Sequence, residues 1–299
     1  MAMSLSERLI DPKSPERRPR RAAYALPTLF TAANVFFGFL SITKTIEGTI
    51  KASSTGVSSI PEFALAAQLI GVAVACDGLD GRIARMTNTV SDFGRELDSL
   101  ADVITFGIAP AVLAFCWGFY FVSPHIDPHF RDQIQETGYF LSFLYLLCGA
   151  GRLARFNVVT NPVPKNPGKP DRKYFVGLPI PAAAALIASI VYVANSTPIE
   201  NWIVSVAWAG LLALLSFLMV STWRYRSFKD LNLLQPRSPK SLILLGTIIF
   251  MIWNYSQVVL FIMCFTYTAS GILVRIGGLL RSKPELPPQQ PVTENSTLG

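Results

Sequence analysis

The stretch DGLDGRIARMTNTVSDFGRELDSLAD, residues 77–102, places Asp77, Asp80, Asp98 and Asp102 between two runs of almost wholly apolar sequence. At 100° per residue, Asp77, Asp80, Gly81, Ala84 and Arg85 fall within a sector of about 140° on one helical face. Gly94, Asp98 and Asp102 follow at i, i+4 and i+8, along one stripe of the next segment. A short turn near Thr87–Ser91 makes the two segments antiparallel neighbours. The spacing therefore predicts a helical hairpin whose carboxylates converge on one small volume.

The rest of the chain explains why such a cluster is unusual. Of its 299 residues, 51% are hydrophobic and 15% charged, and the mean hydropathy is +0.40. Soluble domains carry about 25% charged residues, so the balance points to an integral membrane protein. The net charge of +7 comes without a basic soluble domain interleaved with aromatics, which argues against nucleic acid as a partner. Cys76, Cys116, Cys148 and Cys264 each lie in an apolar stretch with no CxxC pair, so free thiols are expected. The first apolar run is too long for a signal-peptide core and reads as a retained span.

Eight apolar segments can be marked, at 25–46, 63–86, 93–122, 137–157, 178–195, 199–221, 241–254 and 256–280. Most approach the roughly 20 residues needed to cross a bilayer. Helices are required there, because lipid offers no partners to exposed backbone groups. All basic residues except Lys44, Lys51 and Arg131 fall on one side of this arrangement. By the positive-inside rule both termini then face the cytoplasm. The expected fold is an all-α polytopic bundle of about eight spans, N-in and C-in, in a cell (inner) membrane, with its site facing the cytoplasm. The domain plan is a basic segment 1–24 with a possible interfacial helix, a transmembrane catalytic domain 25–282, and a Pro- and Gln-rich disordered tail 283–299. The seventh and eighth segments are expected to share a tight hairpin at Asn254-Tyr255-Ser256.

Two other patterns have plainer readings. His125 and His129 sit in an outward loop where Pro128 breaks the helix that would align them as metal ligands. Ala67, Gly71 and Ala75 have the spacing that permits close helix packing, within a chain or between chains.

Four unpaired carboxylates at membrane depth would cost several kcal/mol each. Arg82 and Arg85 supply part of the compensating charge, but an all-oxygen set suits a hard divalent cation better. Gly81, Ala84 and Gly94 leave room beside the acids, and the Arg85 guanidinium is suited to phosphate oxygens. Together these describe a site for a metal-bound pyrophosphate. The plainer alternative, aspartates that only tie helices together through local arginines, accounts poorly for four acids flanked by three small residues.

The pattern D-x2-D-G-x2-A-R-x8-G-x3-D-x3-D, from Asp77 to Asp102, resembles that of the CDP-alcohol phosphatidyltransferase family. LPTLFTAANVFFGFLSI (26–42), GRLARFNV (151–158), FVGLPIPAAA (175–184) and MVSTWRYRSFKDL (219–231) are similar to the bacterial and archaeal phosphatidylserine synthase branch of that family. The resemblance implies transfer of a phosphatidyl group from CDP-diacylglycerol to L-serine, releasing CMP. It implies one or two Mg²⁺ or Mn²⁺ ions held by Asp77, Asp80 and Asp98, and Asp102 as base, also reaching a metal. It further implies CDP contacts from Gly81, Ala84, Arg85 and Gly94, with Thr31 and Asn34 assisting, and a homodimer.

The substrate carboxylate calls for a cation, and two sets are available. Arg152, Arg155 and Asn157 end the fourth segment; Arg224 and Arg226 follow the sixth. Both sets could equally be positive-inside anchors or bind lipid headgroups. Direct attack by the alcohol is preferred over a covalent enzyme intermediate, because no nucleophile stands beside the acids. Rival functions are a sibling transferase using glycerol phosphate, inositol phosphate or choline, and a cation transporter, since intramembrane acids often line ion pathways.

Overall fold

The computed structural model describes residues 21–56, 60–87, 92–123, 126–160, 174–226 and 239–280. Within these, the side chains at 21–28, 80–87, 92–93, 159–160, 174–175, 224, 226, 239–245, 248–249 and 278–280 fall outside the description. The expected N-terminal interfacial helix, the C-terminal tail, the 88–91 turn and His125 also lie outside it.

The chain is a helical, multi-pass membrane protein. Among the described residues, five helical stretches are long and apolar enough to cross a bilayer: Leu29–Thr55, Pro61–Leu79, Gly94–Gly118, Trp202–Val220 and Phe250–Gly277. Large apolar side chains such as Phe39, Val72, Phe143, Phe217 and Phe265 face outward, as a lipid-facing surface requires.

Helices α1 (Arg21–Thr55) and α2 (Pro61–Thr87) form an antiparallel hairpin. The Ser41 hydroxyl donates to the Ala66 carbonyl at 2.9 Å, and Lys51 pairs with Glu62 nearer the connection. The buried face of α2 is Phe63, Ala66, Ala67, Ile70 and Ala73. Of the small-residue stripe, Ala67 is buried whereas Gly71 and Ala75 are exposed, so the stripe does not form one internal contact.

The third segment is not one regular helix. It runs as α3 (Asp92–Asp102), a π-helical turn (Val103–Ile108) and α4 (Ala109–Gly118). In the widened turn the Ala109 N–H reaches back to the Ile104 carbonyl. Pro110 follows immediately and has no N–H for the Phe106 carbonyl four residues before it. The Tyr145 hydroxyl, from α5 (Pro128–Thr160), donates to that carbonyl at 3.0 Å. Thr105 Oγ1 donates to the Asn34 carbonyl on α1 at 3.0 Å. A Cβ on Gly38 would stand 2.5 Å from Thr105 Oγ1, so only glycine lets α1 approach this closely.

Helix α5 starts at Pro128, well before the apolar run expected at 137–157. The Asp127 carboxylate accepts from the Phe130 N–H at 3.2 Å, and proline is well suited to the first helical position. His129 therefore lies in a helix rather than a loop, and it is exposed.

Helix α6 (Ile180–Val193) forms the centre of the bundle, with Ile180, Ala183, Ala184, Leu186, Ile187, Ala188 and Val191 buried. Its 14 residues span about 21 Å, short of a bilayer core of about 30 Å. It packs on α2, α8 and the π turn, while α7 (Trp202–Val220) packs on α5. Apolar burial drives helix association weakly in lipid, so interhelical hydrogen bonds of about 0.6–2 kcal/mol each gain importance. Trp208 Nε1 donates to the Ala114 carbonyl at 3.0 Å, and Ser205 Oγ to the Gly118 carbonyl at 2.7 Å.

The helical bundle carries one small addition that the sequence reading did not anticipate: β1 (Tyr174–Val176) and β2 (Arg224–Arg226) pair antiparallel, Phe175 opposite Tyr225. Helix α8 (Pro239–Leu280) is two helical arms joined by a kink at Tyr255 (φ −133°, ψ 41°), which is the middle of the Asn254-Tyr255-Ser256 break expected between the seventh and eighth segments.

Candidate active site

Helices α2 and α3 bring Asp77, Asp98 and Asp102 together. One carboxylate oxygen from each lies within 4.8 Å of the others. Metal–oxygen bonds to hard divalent cations are about 2.0–2.6 Å, so a small inward movement of the side chains brings all three oxygens onto one cation. Asp98 Oδ1 is buried with no hydrogen-bond partner among the described residues. A buried carboxylate oxygen in that state is costly, and a hard cation would satisfy it. The donor set fits a divalent metal on both counts. Asp80, Gly81, Ala84 and Arg85 continue α2 beyond Asp77, but their side chains lie outside the description.

The aspartates converge because α3 is a polar helix joined to an apolar one. Asp98 and Asp102 lie one turn apart along its length, and Ala101 is fully buried beside them. Gly94 lies one turn before Asp98 in the same helix. Directly after Asp102 comes the π turn, a distortion that recurs at functional sites.

Helix α1 closes one flank. Thr31 and Asn34 are both buried, and neither polar atom of the Asn34 amide has a hydrogen-bond partner among the described residues. Asn34 stands at the level of Thr105, three residues beyond Asp102.

The expected acceptor contacts divide into three groups. Arg155 Nη1 donates to the Val220 carbonyl at 3.2 Å, which binds α5 to the end of α7. Asn157 Nδ2 donates to Ser99 Oγ at 2.9 Å, which fastens α5 to the residue after Asp98. Arg152 is different: it is within electrostatic reach of Asp102 and Tyr267, and its Nε is buried with no hydrogen-bond partner among the described residues. Arg224 and Arg226 flank Tyr225 in β2, with side chains outside the description.

Sequence reasoning missed Thr105, Tyr145, Tyr225 and Tyr267. A signal existed for Tyr145, since Pro110 announces an orphaned carbonyl, but nothing in sequence says which hydroxyl will fill it. Tyr225 lies inside the WRYR block, where the arginines draw attention first.

The family model for CDP-alcohol phosphatidyltransferase matches residues 24–213. A CDP-diacylglycerol–serine O-phosphatidyltransferase of Helicobacter pylori (strain ATCC 700392 / 26695) is 38% identical over 214 residues, covering 72% of this chain and 77% of that protein. The Saccharomyces cerevisiae protein of the same name is 39% identical over 162 residues, covering 54% of this chain and 51% of that one. An archaetidylserine synthase of Methanothermobacter thermautotrophicus is 32% identical over 203 residues, covering 67% and 69%. The matched span contains the whole aspartate cluster and the helices that assemble it, and on these grounds the chain belongs to the CDP-alcohol phosphatidyltransferase family.

Proposed function

We propose that the chain transfers the phosphatidyl group of CDP-diacylglycerol to the hydroxyl of L-serine, giving phosphatidylserine and CMP. The observation that carries this reading is the convergence of Asp77, Asp98 and Asp102 within 4.8 Å in a member of this family. Relatives named for serine transfer supply the acceptor. Family membership also replaces the transporter reading of the intramembrane acids.

In this mechanism Asp77, Asp80 and Asp98 would hold one or two Mg²⁺ or Mn²⁺ ions, with Asp102 also in reach of a bound metal. A bound divalent ion would neutralise charge on the pyrophosphate. Asp102 accepts the proton of the serine hydroxyl as its oxygen attacks the lipid-side phosphorus. The new P–O bond forms as the bond to CMP breaks, and CMP leaves with the electron pair. Gly81, Ala84, Arg85 and Gly94 border the CDP moiety; Thr31 and Asn34 close its flank. The buried, unpartnered amide of Asn34 supports that role.

The wider proposal keeps eight spans with both termini in the cytoplasm, the domain limits 1–24, 25–282 and 283–299, an inner-membrane location and a homodimer. The one-sided distribution of basic residues supports the orientation. Cysteine accessibility at 51 and 229 in intact and permeabilised cells tests it, and crosslinking in membranes tests the dimer.

The deciding experiment incubates purified protein with labelled CDP-diacylglycerol, Mg²⁺ or Mn²⁺, and L-serine, glycerol phosphate, inositol phosphate or choline in turn. Serine-dependent release of CMP with formation of phosphatidylserine is expected. Turnover with another alcohol and none with serine would replace this reading with the sibling transferase.

A further inference from the structure

Beyond the family-matched span, β2 and the C-terminal arm of α8 meet at a pair of tyrosines. Tyr225 is fully buried, and its hydroxyl has no hydrogen-bond partner among the described residues. Tyr267 lies against it with ring centroids 5.8 Å apart. Helix α8 is pressed onto this ring, since a Cβ on Gly271 would come within 2.3 Å of it. Tyr267 is also in electrostatic reach of Arg152, and Arg152 of Asp102. A line of polar groups therefore runs from Asp102 through Arg152 to the two tyrosines. Along it, a guanidinium Nε and a phenolic hydroxyl are both buried without partners among the described residues.

Buried donors in that state are unfavourable unless a ligand satisfies them. A guanidinium accepts no hydrogen bonds and a phenol is a good donor, so the ligand they suit is an anionic oxygen group. Asp102, at the other end of the line, repels an anion, so a carboxylate is favoured against Arg152 and the phenols rather than beside Asp102.

We propose that Arg152, Tyr225 and Tyr267 form the subsite that receives the acceptor's carboxylate, so that β2 and α8 select the acceptor for chemistry carried out on α2 and α3. This rests on the serine reading above and adds Tyr225 and Tyr267 to it. Burial holds the Tyr225 phenol up at about 12, with Tyr267 beside it adding to the effect, so it remains a protonated donor at neutral pH. The same donors could in principle serve the pyrophosphate of the CDP-lipid, and kinetics separate the two.

The test measures kcat and KM for L-serine and for CDP-diacylglycerol with the purified full chain, Tyr225→Phe and Tyr267→Phe, alongside thermal unfolding. Each phenylalanine keeps the ring and removes one donor. Loss of one hydrogen bond to a charged group corresponds to a rise in serine KM of about tenfold or more. The KM for CDP-diacylglycerol and the melting temperature are expected to hold. Unchanged serine KM in both variants, or a rise in CDP-diacylglycerol KM instead, overturns the assignment. If Tyr225→Phe melts early, Tyr267→Phe decides, because that ring is only half-buried. A wild-type chain that makes no phosphatidylserine overturns the proposed function and this subsite together. A working wild type with unaltered variants overturns the subsite alone.

Discussion

The Tyr145 hydroxyl donates to the Phe106 carbonyl at 3.0 Å, inside the widened turn that begins one residue after Asp102. This bond crosses from α5 to the third segment and satisfies the carbonyl that Pro110 leaves without its usual helical donor. Tyr145→Phe keeps the ring and removes the donor. Destabilisation of about 1–2 kcal/mol is expected, the cost of a buried carbonyl left unsatisfied. Thermal unfolding in detergent measures it, and an unchanged melting temperature would mean that another donor takes over.

Asp102→Asn removes the proposed base while keeping shape. Turnover should fall by about 10²–10⁴-fold, the usual contribution of a positioned general base. Binding of CDP-diacylglycerol should persist, read by displacement of a fluorescent CDP analogue. Near-normal turnover would move the role of base to another group.

Chelation should abolish turnover, with Mg²⁺ or Mn²⁺ restoring it. Asp98→Ala should raise the metal concentration needed for half-maximal activity, because it removes one of three clustered oxygen ligands. The same variant should lose the metal-dependent rise in melting temperature that binding to the folded state confers. Full activity in excess chelator would defeat the metal assignment.

Gly177 has φ +79°, and a Cβ there would meet the Met219 carbonyl at 2.6 Å. Its N–H also donates to the Trp223 carbonyl at 2.8 Å, just where the two strands begin to pair. Gly177→Ala should cost about 1–2 kcal/mol from the left-handed backbone alone, and more from the clash. Gly56 offers the control: its φ is +86° but a Cβ would touch nothing. Gly56→Ala should therefore cost only the backbone share, and equal melting points for the two variants would refute the contact argument.

Much of this was legible in the sequence because lipid imposes hard limits. Apolar runs of sufficient length had to be helices, and Asp98 and Asp102, four residues apart, had to share a face of the helix that pairs with the one carrying Asp77. The missing parts depend on partners far away in the chain. The π turn needs Tyr145 and Asn34 as well as Pro110, and three-residue strands leave too short a pattern to read. Hydropathy also under-called α5, whose first turns are polar and are set by Asp127 and Pro128 instead. Among the acceptor candidates, composition could not separate Arg152 from Arg155; their hydrogen bonds did.

The π turn has a consequence for how such a site can change over time. One additional residue in a helical turn rotates everything before it by about 100° relative to everything after it. The aspartate-bearing half and the anchoring half of the third segment thus have independent azimuths. Substitutions in α4 can retune its seat against Trp208 without redirecting Asp98 or Asp102. Removal of one residue between 103 and 108 would leave most of the bundle's apolar surface in place and aim both carboxylates elsewhere.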